Sequence, residues 1–230
     1  MSRLAKVLIG LGVAVVVLAG AAVAGWYFFL KSDAAPPAKI KETPVVSTPE
    51  SVLDGTYTVA PGDAQNFVGY RVTEQFVAGL VDNTATGRTS DVTGKFEIAG
   101  TTANDVQVTA DLSTLKSDRD QRDNRIRTLG LESDRFPEAK FVLSEPIDFG
   151  TVPQAGETVN ATAVGDFTLH GVTKEVRIPV EARWDGRDVQ VIGHIPIVFG
   201  DYGMDAPNVG GFVSVQDHGE MEFQLFFRKG

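Results

Sequence analysis

The chain contains no cysteine, which excludes a disulfide framework and any thiolate metal site. Histidine is scarce. His170, His194 and His218 stand in three separate strand regions without the close spacing of a ligand pair, so turn or structural roles are expected and no metal is. Basic residues are outnumbered, 21 Lys and Arg against 30 Asp and Glu, and the formal charge of −9 argues against a nucleic-acid partner because phosphates would be repelled. No Gly-x-Ser-x-Gly elbow, phosphate-binding glycine loop or His-Glu-x-x-His is present. The carboxylates Glu220 and Glu222 share one strand face, where water is the usual neighbour. No catalytic residue and no cofactor are therefore expected.

Long apolar runs are missing too, with one exception. Val7 to Leu30 carries no charge, and its 24 residues at ~1.5 Å each span ~36 Å, enough for a hydrocarbon core of ~30 Å. Residues 1–30 read as a transmembrane signal anchor. The competing reading is a cleaved signal peptide, because Ala22-Val23-Ala24 before Gly25 fits the small-residue pattern. Cleavage there would leave Trp26 to Leu30 as an exposed aromatic terminus, whereas an uncleaved helix sets those rings at the membrane interface. Arg3 and Lys6 on one side nearly balance Lys31, Lys39 and Lys41 on the other, and the signal-like start favours the N-terminus inside with the remaining chain outside. Residues 31–54, with Pro36, Pro37, Pro44 and Pro49, read as an extended linker that at ~3.1 Å per residue reaches up to ~60 Å.

From residue 55 to 230 the pattern is period two, which argues half-buried strands. Val68, Tyr70 and Val72 alternate with Gly69 and Arg71, and Val106, Val108, Ala110 and Leu112 with Gln107, Thr109 and Asp111. About eight or nine such runs, several joined by short turns such as His170-Gly171 and Asp185-Gly186, predict an all-β fold: an antiparallel lipocalin-like barrel closed on itself. One connection breaks the rule. Asp111 to Phe141 carries a charged helical segment between two strands, so the barrel has one helical crossover. Ser117 with Asp120 resembles a capping box, and the helix is expected to run to about Leu129 and stop at Gly130. Asp118 with Arg122, Arg119 with Asp123 and Asp123 with Arg127 lie four apart, as on a solvated face. The other reading is that Arg122, Asp123 or Arg125 folds inward, toward a headgroup or a neighbouring strand.

The crossover resembles that of the YceI-like family in Ser113, Arg122-Asp123, Arg125, Phe136-Pro137 and Phe141. Gly165 to Lys174 resembles that family's strand-turn motif, with Phe167 in place of leucine. Asp201-Tyr202-Gly203-Met204 resembles a late family motif but follows Phe199-Gly200 instead of a basic residue. Gln65-Asn66 replaces the family's start, and Val81 to Asp91 reads as an inserted polar loop. The resemblance implies an extracytoplasmic barrel in the cell envelope that binds a polyisoprenoid or isoprenoid-quinone lipid. Ala110, Ala161, Ala163 and Gly165 leave room along the axis. The lining expected for the lipid is Val68, Tyr70, Phe96, Val108, Ala110, Leu112, Ile126, Leu129, Phe141, Phe167, Leu169, Ile178, Val180 and Trp184. A filled barrel serving as a structural or protein-interaction module is the alternative. The membrane is a partner through the N-terminal helix, and the oligomeric state stays open, a homodimer among the options.

Overall fold

A computed structural model describes residues 14–21, 25, 33–42, 44–46, 53–60, 62–63, 65–76, 81–209 and 213–230. Thirteen strands among them form one antiparallel sheet. They are β1 (Gly55–Val59), β2 (Phe67–Phe76), β3 (Val81–Thr89), β4 (Val92–Ala99), β5 (Thr102–Asp111), β6 (Lys116–Ser117) and β7 (Glu138–Leu143). There follow β8 (Ile147–Asp148), β9 (Thr158–Leu169), β10 (Val172–Trp184), β11 (Asp188–Val198), β12 (Asn208–Val209) and β13 (Val213–Lys229). Eight of them close a ring in the order β1-β4-β5-β7-β9-β10-β11-β13, because β1 pairs with both β4 and β13. Closure removes the free edges that an eight-stranded open sheet would expose.

On the edge away from β11, the 17-residue β13 serves two partners. Its last residues pair with β1, while its first part pairs with β2 across a register shift between Val215 and Gly219. Strand β2 then pairs with β3, and β3 with the short β6, which widens the wall at the end where the crossover sits. We call that end the upper one and the end with the Asp185–Asp188 turn the lower one. The inserted polar loop expected at Val81 to Asp91 is in fact the β3 hairpin partner of β2, in register from Val68↔Thr89 to Phe76↔Val81. The apolar alternation of a core strand is faint in Val-Asp-Asn-Thr-Ala-Thr-Gly-Arg-Thr, but its threonines suit a pleated, half-buried surface.

The crossover contains a helix, α1 (Asp120–Thr128), shorter at its start than a cap at Ser117 would make it. Arg119 is the N-cap and gives no side-chain capping bond. Ser117 instead directs its N–H (2.9 Å) and Oγ–H (2.6 Å) to Oδ1 of Asp123, which is buried, so Asp123 and not Asp120 ties the helix start to β6. The Asp118–Arg122 pair forms as expected. Arg122, however, points into the barrel.

Of the N-terminal apolar run, residues 14–21 and 25 are helical and the rest lies outside the described residues. Among the described residues no helix is long and apolar enough to cross a membrane. Residues 33–42 and 44–46 are extended and lie along the outer wall of the barrel. The Asp33 N–H donates to Asp118 Oδ2 (3.1 Å) near the upper end, and the Val46 N–H to the Asp185 carbonyl (3.0 Å) at the lower end.

Candidate functional site

The barrel interior is a cavity with walls built from alternate residues of its strands. In the lower two-thirds a water-sized sphere can place its centre anywhere within about 180 Å³, and the surface it meets is almost wholly carbon. Val68, Phe96, Val108, Ala110, Phe141, Phe167, Ile178, Val180 and Trp184 line this lower chamber. Its lower rim carries Ile147, Phe149 and Pro153, which are only half-buried.

Two close approaches explain why so many aromatic rings do not plug the bore. A Cβ on Gly193 would sit 2.6 Å from the ring of Phe223, its partner across β11 and β13, and one on Gly165 would sit 2.7 Å from the ring of Phe141. Each ring therefore covers a glycine on the adjacent strand and lies along the wall instead of across it. Small side chains at Ala110, Ala139, Ala161 and Ala163 leave the axis free. At the lower end Tyr57 stacks on Phe96 with centroids 5.0 Å apart, and Phe96 meets Phe227 edge-on at 4.8 Å.

Above it lies a second chamber of about 90 Å³, with Met221 in the wall of both. Tyr70, Ile126 and Leu169 line this upper chamber with Val72, Leu131 and Met204. Here the wall turns polar. Glu74 faces inward from β2 and takes a two-point ion pair from Arg122 of α1, Nε to Oε1 at 2.8 Å and Nη2 to Oε2 at 2.9 Å. Both side chains are about nine-tenths buried. Burial works to lower the Arg122 pKa, but Glu74 and Asp118 outweigh it and hold the guanidinium charged. The pair bolts the helix over the upper end.

Tyr70 is the group left over. It is 5 % exposed and lines the upper chamber, and its hydroxyl, within reach of the Ser117 side chain, makes no well-aligned hydrogen bond. Burial pushes its pKa well above the ordinary phenol value, so the group remains a donor at any physiological pH. A buried donor without an acceptor costs about 1–3 kcal/mol unless something else supplies the acceptor.

Two of the expected lining residues stand elsewhere. Leu129 is 63 % exposed, because α1 ends at Thr128 and Leu129 is its C-cap, turned outward; Leu131, two residues on, fills the inward place. Leu112 is fully buried in the core but lies in the 3-10 turn after β5, outside both chambers. Of the lining that was not expected, Ile98, Val106, Val191, Phe223 and Phe227 stand on strands whose alternation is readable, while Ile147, Phe149 and Pro153 come from the two-residue β8 and its loop, where period two is too brief to read.

His170 occupies the turn between β9 and β10 with φ of 51°, and its Nδ1 lies 3.0 Å from the Tyr202 carbonyl oxygen while its ring packs on Phe136. That is a structural role. Among the described residues no cluster of His, Asp and Glu is arranged to hold a metal ion.

The fold and sequence have relatives. The chain is 29% identical over 139 residues to a UPF0312 protein of Photorhabdus laumondii, covering 60% of this chain and 67% of that one. It is 25% identical over 185 residues to a UPF0312 protein of Vibrio cholerae, covering 76% and 92%. Among solved structures, a polyisoprenoid binding domain from Saccharophagus degradans, implicated in plant cell wall breakdown, superposes with a TM-score of 0.56 at 18% identity, over 77% of this chain and 99% of that one. BcnA of Burkholderia cenocepacia superposes at 0.52 with 19% identity, over 71% and 96%. These two likenesses concern the fold. The YceI-like domain matches residues 57–227, the whole closed barrel with its crossover, and the chain belongs to the YceI-like family.

Proposed function

We propose that the protein binds an isoprenoid lipid, a polyprenol or isoprenoid quinone, in the barrel interior, and does so without catalysis. The observation that carries this reading is the carbon-lined lower chamber that the wall-hugging rings and alanines keep open. Its space is about an order of magnitude above the minimum that holds a single water. At ~0.8 kcal/mol per buried CH₂-sized group each unit contributes ~3–4 kcal/mol, so two or three units supply ~6–12 kcal/mol, which offsets losses of about 4 kcal/mol or more and at the upper end approaches micromolar affinity. The methyl branches of such a chain suit a chamber walled by alanine and valine.

The polyisoprenoid binding domain of Saccharophagus degradans, which shares the fold, supports the same ligand class. For location, the uncharged run from Val7 to Leu30 behind Arg3 and Lys6 supports a membrane anchor with the barrel outside the cytoplasm. A filled barrel acting only as an interaction module is the weaker reading, because an empty apolar space of this size has no use in it. Native mass spectrometry of the protein purified without added lipid, followed by organic extraction, tests the proposal. A stoichiometric species whose fragments step by isoprene units is expected. Bare protein that also refuses added polyprenol and quinone would overturn it.

A further inference from the structure

On the outer wall, opposite the lining just described, several polar side chains are buried where an outward-facing barrel residue would ordinarily meet water. Glu222 is 3 % exposed, Gln190 4 % and Thr86 5 %. What covers them is the extended N-terminal segment, residues 33–42 and 44–46. The wall recognises the backbone of that segment. Thr86 Oγ1 accepts from the Ala35 N–H (2.9 Å), and Arg71 Nη2 donates to the Ala35 carbonyl (2.7 Å). Arg88 donates to the Pro36 carbonyl, and both arginines also hold Glu222. Gln190 grips the segment at two points, accepting from the Lys41 N–H (2.9 Å) and donating to the Lys39 carbonyl (3.0 Å).

The contact is long but shallow. No residue of the segment is fully buried; Ala34, Ala35, Ala38, Ile40 and Val46 are half-buried and the others are exposed. Apart from Ile192 and Phe226, which flank Gln190 on the same outer face, the seat is made of polar groups and charged pairs, so vacating it exposes little apolar surface. Each hydrogen bond has only a modest net worth, while ordering an extended strap has an entropic cost for every residue fixed.

We propose that residues 33–42 and 44–46 form a detachable strap, and that the groove of Arg71, Thr86, Arg88, Gln190 and Glu222 is its receptor. Docked, the strap lies along the barrel from the Asp118 end to the Asp185 end. Released, fourteen residues at ~3.1 Å each add ~40 Å of reach. Resting on the reading of the protein as a membrane-tethered lipid carrier, the strap gives it two positions: held near the anchor, or extended toward a site where lipid is loaded or delivered.

Hydrogen exchange on the full-length protein in phosphatidylethanolamine–phosphatidylglycerol nanodiscs tests this at the amides of Ala35, Lys41 and Val46. They are expected to be protected roughly 10- to 1,000-fold, well below the amides of β9 and β10, as for a locally opening unit. In Gln190→Ala, and separately in Thr86→Val, that protection falls at least tenfold while the β9 and β10 amides keep theirs. Unprotected strap amides in the unmutated protein would overturn docking, and protection equal to the barrel core would overturn release. The readout requires no bound lipid, so failure of the strap and failure of the lipid reading are separate results.

Discussion

Replacing Ala163 with phenylalanine separates a hollow barrel from a filled one, because the two quantities it changes move in opposite directions. Ala163 sits on β9 opposite Ile178 of β10, 4 % exposed, in the wall of the lower chamber. The added ring brings six carbons into a space of about 180 Å³, slightly more than one five-carbon isoprene unit. A lipid chain then loses about one unit of burial, ~4 kcal/mol, or ~10³ in Kd. The empty protein gains, since filling an apolar void stabilises by about 0.5–2 kcal/mol, and a domain of this size moves by about 2–4 °C in Tm per kcal/mol. Quenching of Trp184, which lines the same chamber, by a short-chain quinone reads the affinity, and calorimetry of the delipidated protein reads the stability. Unchanged affinity would refute the path of the lipid past Ala163. A fall in Tm would refute the hollow wall at that point.

The upper chamber yields three further expectations. Arg122→Met leaves Glu74 buried without a partner, an uncompensated charge worth ~3–5 kcal/mol, whereas the double replacement Glu74→Gln with Arg122→Met recovers most of the loss; urea midpoints compare the two. Tyr70→Phe removes a buried hydroxyl that makes no well-aligned hydrogen bond, with Ser117 alone in reach: if the hydroxyl serves a ligand headgroup, lipid affinity falls, while the lipid-free protein keeps its stability to within about 1 kcal/mol. Burial raises the Asp118 pKa, but the Asp33 N–H and the Arg122 guanidinium outweigh it and hold the carboxyl below the usual carboxylate range. Its folded-state pKa is thus depressed. The stability it contributes is fully present above the unfolded value of ~3.9 and is lost as pH falls through the lower folded value. Asp118→Asn should therefore flatten the acid limb of stability against pH.

The wall of the barrel was legible because period two records which residues face inward. Val68 and Tyr70, Val108 and Ala110, and Phe141 all line a chamber that their alternation had indicated. What alternation does not record is the partner of a charge. Arg122 in its run of opposite charges looks like a solvated helix face, and only the fold brings it to Glu74, forty-eight residues away in sequence. The division at Met221 into a carbon-lined lower and a partly polar upper chamber follows from that same long-range pair. Residues 33–46 were legible as extended chain from their prolines, but a seat that binds backbone carbonyls and amides leaves no mark on the side chains of the segment it holds. Gly165 was legible as a small inward residue, but nothing in the sequence shows that it and Gly193 each make room for a ring on the next strand.

The central claim, that the lower chamber buries an isoprenoid chain, is tested most directly by measuring Kd for prenols of one to six isoprene units against the delipidated full-length protein. Burial in a finite carbon-lined chamber predicts that affinity rises by roughly two to three decades per unit. The rise should level off once the two or three units that fit have entered. Affinity independent of chain length, or set by the headgroup alone, would contradict it.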